Sequence, residues 1–378
     1  MKYQHLWVWF GFGVEYRRES ITWLRRNPMT TLVYDAGMLG FQALAPLDAK
    51  QRAYSGRSIP DAVLADADAV FVRSTTEIDV ARLPESVTFI GTATIGVDHL
   101  PLKALAARGI EVASAPGCNA WAVTDYVLST LAAWAEARGR DRDGLTLGVV
   151  GVGHVGGLLV KRAEALGLRC LLTDAPKARN GLCPRHQSLK SVLGEADVIS
   201  VHVPKITAGR DCTTALLKED DLRAVRPGGL IINAARGSVI PESAILASVE
   251  LDWALDVFPE EPVISEALLQ RAWQVTPHIA GHSVEGKFNG TRAVLEAWSA
   301  YTGQPLQQLD VHTYLNTIAI PEIPRGSDVW SDVRTQCPLM PVDRALRYAL
   351  AHHTESSAAF DVCRSQYVLR RESSDPIC

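Results

Sequence analysis

The chain has 378 residues, 47% of them hydrophobic and 21% charged, with a formal net charge of −4. That length allows two to three domains with separate cores, and the balance is that of an ordinary globular protein, not of a basic nucleic-acid binder or an acidic-tailed chain. The seven cysteines form no C-x-x-C pair and no metal-ligand spacing, which implies a reduced cytoplasmic setting and no metal site.

Residues 1–28 differ in texture from the rest of the chain. The apolar run at 6–14 is shorter than the ~18 residues of a membrane span and has no small-residue cleavage pattern behind it. Neither a membrane anchor nor a secretion signal is expected. T-L-V-Y-D at 31–35 reads as a first strand just after Met29, so residues 1–28 are expected to be an extension outside the fold.

From there β-rich runs at 31–35, 69–73, 87–92 and 110–115 alternate with helical spacing, as at 59–67 and 100–108. Such alternation predicts βαβ units. A long helix is expected over 120–138, with Asn119 a candidate N-cap and Gly139 a candidate stop. Its apolar residues lie on several faces, which places it inside the protein between domains. Cys118, in A-P-G-C-N-A just before it, has no paired base in evidence and reads as a small buried residue rather than a nucleophile.

A second βαβ series begins at residue 145, with strands at 145–151, 170–174, 198–204, 230–236 and 253–258. Its first turn is Gly151-V-Gly153-H-V-Gly156, and Asp174 closes the next strand. A lone G-x-G-x-x-G is weak, but between a strand and a helix, with an acid ending the following strand, it is a dinucleotide fingerprint. The glycines permit the turn, backbone approach to a pyrophosphate and close helix packing, while the helix N-terminus supplies N–H donors. Asp174 would accept from the adenosine ribose and repel a 2′-phosphate, so NAD is expected over NADP.

Three further apolar runs stop at titratable residues: N-A-A-Arg236-G, then L-D-V-F-P-E-Glu261-P, then V-T-Pro277-His278. The carboxyl ends of parallel strands form ligand crevices, and these three residues have complementary chemistry. Arg236 can grip a carboxylate as a bidentate fork. His278 can shuttle a proton near neutral pH, and Glu261 can orient it through the other ring nitrogen. Asp256, ending the fifth strand, is expected beside the nicotinamide end of the cofactor. Singly each residue has a bland reading as a surface or structural group; behind the fingerprint they read as an acid/base site. After Gly303 the texture changes: prolines at 305, 321, 324 and 338 break it up, and a helix is expected near 342–352.

Taken with D-A-D-A-V-F-V-R-S at 66–74, G-T-A-T-I-G-V-D-H at 91–99 and H-S-V-E-G-K-F-N-G-T at 282–291, these motifs resemble the D-isomer-specific 2-hydroxyacid dehydrogenases. Within them the chain is most similar to the branch that acts on 4-phospho-D-erythronate in pyridoxal phosphate synthesis. The resemblance implies two Rossmann-like doubly wound parallel-sheet α/β domains plus a small C-terminal α+β dimerisation domain. It divides the chain into a substrate-binding domain at 29–118 plus 284–303, an NAD-binding domain at 119–283 and the dimerisation domain at 304–378. It gives Arg236, Glu261 and His278 the catalytic roles and Ser74, Thr94 and His282 the substrate contacts. Gly151, Gly153, His154, Val155, Gly156, Asp174, Val203, Ala234, Ala235, Arg236, Asp256 and Gly281 take cofactor positions. The implied enzyme is a cytoplasmic homodimer that passes hydride from a phosphorylated 2-hydroxy acid to NAD, without nucleic-acid or membrane partners. The competing readings are a dehydrogenase of 3-phosphoglycerate, glyoxylate or D-lactate, or a dinucleotide-sensing corepressor module of the same fold. Three departures stand out: His154 where the branch often has Asn, D-A-G at 35–37 in place of D-E-N, and His282 in place of Tyr. An imidazole at 282 is shorter than a phenol and able to carry charge. The region after Gly303 is expected to join subunits and leave the site complete without it.

Overall fold

The protein, described from a computed structural model, is built from two parallel sheets; residues 30–320, 328–353 and 355–373 are described. The extension expected at 1–28 lies outside them. The first sheet holds β1 (Thr31–Asp35), β2 (Lys50–Tyr54), β3 (Ala69–Val72), β4 (Phe89–Thr92) and β5 (Glu111–Ala113), in the order β2-β1-β3-β4-β5. The second holds β6 (Thr146–Val150), β7 (Arg169–Thr173), β8 (Val198–Val201), β9 (Leu230–Asn233), β10 (Asp252–Leu255) and β11 (Gln274–Val275), ordered β11-β10-β9-β8-β6-β7. Every neighbouring pair is parallel. Both sheets are covered on both faces, which is why their strands read as apolar runs without alternation. β2 escapes a reading of the sequence because K-Q-R-A-Y is a polar edge strand, the composition that edges use to resist further pairing.

In each sheet the strand order reverses once, between β1 and β3 in the first and between β6 and β8 in the second. Ligands of doubly wound folds bind outside the carboxyl ends of the strands at such points. The long helix Ala120–Ala137 carries the chain from one sheet to the other, with Tyr126, Leu128, Leu131 and Trp134 fully buried. Asn119 is its N-cap residue, without a side-chain capping bond. The return helix Val284–Thr302 is capped by Ser283, whose Oγ accepts from Gly286 N–H at 2.8 Å. It drives Phe288, Val294, Leu295 and Trp298 into the core of the first sheet, each burial contributing about 1.5–3 kcal/mol. No helix among the described residues is long and apolar enough to cross a membrane.

After Gly303 the described residues form helices at Val311–Asn316, Val329–Gln336, Leu339–His352 and Ser356–Ser365. The only β-pairing described there is a single bridge between Ser283 and Arg370. Leu315 joins the core of the first sheet, whereas Val333, Cys337, Leu339, Leu346 and Phe360 join those of the second. The tail then runs back to both crossings between the sheets. Arg370 Nη2 donates to Ala122 O (2.8 Å) and Ala280 O (3.0 Å), and Ser373 N–H donates to Asp125 (3.0 Å).

Candidate active site

The glycine turn leaves β6 with Gly151 at φ +91, and a Cβ there would meet His202 O at 2.7 Å and Val203 Cγ1 at 2.9 Å. Val203 thus lines the same switch point from the end of β8. A Cβ on Gly156 would lie 2.0 Å from Gly151 O, so only glycine lets the helix His154–Ala165 start this close. Nothing lies within 4 Å of where a Cβ of Gly153 would stand, and His154 and Val155 come next as the first helical residues. The His154 ring lies over Gly117. Asp174 ends β7 with Oδ2 accepting from Val152 N–H (2.8 Å) and Oδ1 from Lys177 N–H (2.9 Å). The carboxylate is therefore fixed against the fingerprint turn, where a ribose hydroxyl would be read. These features fit a dinucleotide: a close-packed glycine turn, a helix N-terminus with open space beside it, and an oriented acid.

Arg236, Glu261 and His278 follow β9, β10 and β11, three adjacent strands. The Asn233 side chain fixes the turn at Ala234, Ala235 and Arg236 by accepting from Ala235 N–H and donating to Arg236 O, both at 3.1 Å. Gly237 comes next because the Phe258 carbonyl backs onto it; a Cβ would lie 1.9 Å from that oxygen. Arg236 Nε reaches across to Asp98 Oδ2 at 2.8 Å, in the loop after β4, and its Nη2 lies over Gly96. The sequence alone does not single out Asp98, although it stands in the G-V-D-H motif at 96–99.

His278 Nδ1 lies 2.6 Å from Glu261 Oε1. A carboxylate only accepts, so Nδ1 carries the proton and Nε2 is the ring atom left for chemistry. Burial pushes the Glu261 carboxyl up, but His278 and then Arg364 more than offset it and hold it below the usual glutamate range. His278 itself is left-handed, at φ +55, which costs a non-glycine residue about 1–3 kcal/mol. Asp256 holds that turn in place. Its carboxylate accepts from Thr276 Oγ1 (2.7 Å), Ile279 N–H (2.8 Å) and Ala280 N–H (2.9 Å). Burial raises the Asp256 carboxyl in spite of His278 and those donors.

Of the substrate positions, Ser74 is exposed just beyond β3, with Arg364 Nη2 3.5 Å from its Oγ. Thr94 Oγ1 donates to Gly96 O at 2.8 Å, which ties it to the loop facing Arg236. His282 lies beside Tyr367, with ring centroids 6.1 Å apart. Its expected ability to carry charge is corrected: burial first, then Lys287, Arg364, His278 and Arg370, hold its pKa well below the usual histidine range. It is a neutral group at pH 7. Gly281 packs on Asn119, whose Nδ2 would be 2.1 Å from a Cβ there. Burial pushes the Cys118 thiol up to about 12, which leaves it unreactive at neutral pH.

The region after Gly303, expected to leave the site complete without it, reaches the candidate residues: Arg364 lies against Ser74, its charge acts on Glu261, and the Tyr367 ring lies tilted beside His282. No local signal marks these residues, since a helix end carrying arginine reads as a solvated surface.

Residues 124–280 match the family model described as D-isomer specific 2-hydroxyacid dehydrogenase, NAD binding domain. The erythronate-4-phosphate dehydrogenase of Pseudomonas aeruginosa is 41% identical over 335 residues, covering 85% of this chain and 87% of the relative. That of Edwardsiella ictaluri is 44% identical over 279 residues, 72% of this chain and 74% of the relative. In solved structures, the fold is similar to NAD⁺-bound 3-phosphoglycerate dehydrogenase of Entamoeba histolytica, with 22% identity and a TM-score of 0.61 over 75% of this chain and 99% of that one.

Proposed function

The chain belongs to the erythronate-4-phosphate dehydrogenase family of D-isomer-specific 2-hydroxyacid dehydrogenases, and from that premise we propose that it oxidises the C2 hydroxyl of 4-phospho-D-erythronate to the 2-oxo acid. NAD⁺, held by the glycine turn and Asp174, supplies the hydride acceptor when bound. Arg236 grips the substrate carboxylate and steadies the oxygen as it becomes a carbonyl. His278 Nε2 takes the hydroxyl proton. Glu261, 2.6 Å from Nδ1, stabilises the imidazolium that results, and Asp256 keeps the ring aimed. Ser74, Thr94 and His282 contact the substrate from the facing loops, with His282 as a neutral hydrogen-bonding group.

The observation that carries this reading is the His278–Glu261 pair, set on strand ends adjacent to Arg236 in a chain that covers 87% of its Pseudomonas aeruginosa relative. Steady-state NADH formation with 4-phospho-D-erythronate tests it, and saturable turnover is the expected outcome. We also read the working enzyme as a cytoplasmic homodimer of three domains: substrate-binding at 29–118 plus 284–303, NAD-binding at 119–283, and dimerisation at 304–378. Met340, Tyr348 and Val362, exposed on the last two helices, are the apolar side chains that such a pairing would cover.

A further inference from the structure

The proposed substrate is anionic at both ends, and Arg236 accounts for one of them. Resting on that reading, we propose that Arg73, Lys287 and Arg364, with Ser74, form the subsite that holds the substrate's phosphate. The three cations come from three separate parts of the chain. Arg73 follows β3, Lys287 lies in the first turn of the return helix, and Arg364 is near the end of the helix Ser356–Ser365. Arg73 Nε is 2.9 Å from Asp35 Oδ1, and its guanidinium lies flat over Gly37. Arg364 Nη2 is 3.5 Å from Ser74 Oγ, and its buried Nε has no hydrogen-bond partner among the described residues. The charges of both guanidinium groups and of the Asp35 carboxylate act on Lys287.

The three half-buried cations repel each other, with Asp35 acting against this at Arg73 and Lys287 and the carboxylates of Glu261, Asp256 and Asp361 at Arg364. Burial, then Arg73 and Arg364, push the Lys287 ammonium down to about 8. Burial also lowers Arg364, although Glu261, Asp256 and Asp361 draw it the other way. A dianionic phosphate relieves that repulsion and engages planar guanidinium donors.

The location fits as well. Asp35 and Arg73 flank the strand-order reversal of the first sheet, at the carboxyl ends of β1 and β3, where doubly wound sheets take their ligands. The two cationic poles meet neighbouring strands of that sheet: Arg236 touches Asp98 after β4, and Arg364 touches Ser74 after β3. Adjacent strands lie about 4.8 Å apart, and an extended four-carbon chain of ~1.5 Å bonds with its phosphate ester spans roughly 6 Å from carboxylate carbon to phosphorus. Carboxylate and phosphate can therefore bind one pole each, with C2 near His278. Arg364 also makes the C-terminal region part of the catalytic unit.

The test compares kcat/KM for 4-phospho-D-erythronate and for D-erythronate in the full chain and in Arg364→Ala, Arg364→Lys and Lys287→Met. The preference for the phosphorylated substrate should fall roughly 10- to 100-fold in Arg364→Ala and Lys287→Met, the scale of one charge-assisted hydrogen bond, with partial recovery in Arg364→Lys. Competitive inhibition by inorganic phosphate should weaken in parallel. An unchanged preference in both neutral variants would overturn the subsite while leaving the substrate reading intact. Conversely, phosphate binding by calorimetry that Lys287→Met abolishes, in a chain that does not turn over 4-phospho-D-erythronate, would defeat the substrate reading and support the subsite. If Arg364→Ala fails to fold, Lys287→Met decides alone, because its half-buried ammonium makes no hydrogen bond among the described residues.

Discussion

Asp256→Asn separates the positioning of the catalytic histidine from the stability of the fold. The carboxylate accepts three hydrogen bonds, two of them from the backbone N–H groups just after His278. Asn keeps one acceptor oxygen and turns an NH₂ toward Ala280 N–H or toward the Ile279 and Thr276 donors. A buried N–H left facing a donor costs about 1–3 kcal/mol. Against this, burial already raises the Asp256 carboxyl, so removing the charge returns part of its desolvation cost. The net loss of stability is expected at the low end, about 1 kcal/mol. The functional loss should be larger. His278 holds a left-handed backbone at φ +55 only while those bonds restrain it, and a shift of about 1 Å at a catalytic group costs on the order of 10²-fold in rate. That corresponds to about 2.7 kcal/mol of barrier. Urea midpoints and kcat from NADH formation measure the two quantities on the same sample. Thr276→Val, which removes one donor and spares the backbone bonds, should lose less than about tenfold. A variant with near-normal kcat, or one whose rate falls only in proportion to its unfolded fraction, would refute the assignment of Asp256 as the positioning group.

His278→Ala should bind NAD as the parent does and lose roughly 10²–10⁴-fold in turnover, the span for removing a general acid/base; calorimetry and initial rates check both halves. Asp174→Ala should weaken NAD and narrow its margin over NADP in cofactor titrations, with about 1 kcal/mol of stability lost because Lys177 N–H loses its cap. Burial, then Glu285 and Asp125, raise the Glu372 carboxyl to about 7 against its bond from Ser283. With about 4.3 in the unfolded chain, its contribution is complete below pH ~4.3 and is lost as pH rises to about 7. Glu372→Gln should remove that fall, a difference on the order of 3–4 kcal/mol between the two stability profiles; parallel profiles would count against it. Deleting residues 304–378 removes Leu315, Val333, Leu339, Leu346 and Phe360 and uncovers the apolar surfaces they pack on, Phe258 against Phe360 and Phe288 against Tyr314 among them. The truncated chain should aggregate, and light scattering that finds a clean, fully active monomer would contradict that.

The parallel strands are legible in the sequence because burial on both faces leaves them as uninterrupted apolar runs, each ending at a residue of distinct chemistry. The fingerprint, Arg236, Glu261 and His278 all sit at such ends. β2 is hidden for the opposite reason: its exposed edge position allows Lys, Gln and Arg where a central strand needs Val or Ile. The long helix at 120–138 can be read to within a residue because its burial is nearly complete around its circumference. The meeting of the cations around Ser74 is not legible in the sequence. Arg73, Lys287 and Arg364 are separated by more than 70 residues at each step, and only the meeting of two sheets with the C-terminal helices brings them together. Asp256 falls at the expected strand end, yet its bonds to the His278 turn depend on a backbone conformation that no sequence pattern announces.

The most direct measurement is the initial rate of NADH formation by the full chain with 4-phospho-D-erythronate, 3-phosphoglycerate and D-lactate, with and without an added 2-oxo acid. The expected result is a kcat/KM for 4-phospho-D-erythronate at least about tenfold above the others, a margin of ~1.4 kcal/mol, and dependence on His278. A higher value for 3-phosphoglycerate or D-lactate, or NAD⁺ binding without turnover of any of them, would contradict the proposed activity.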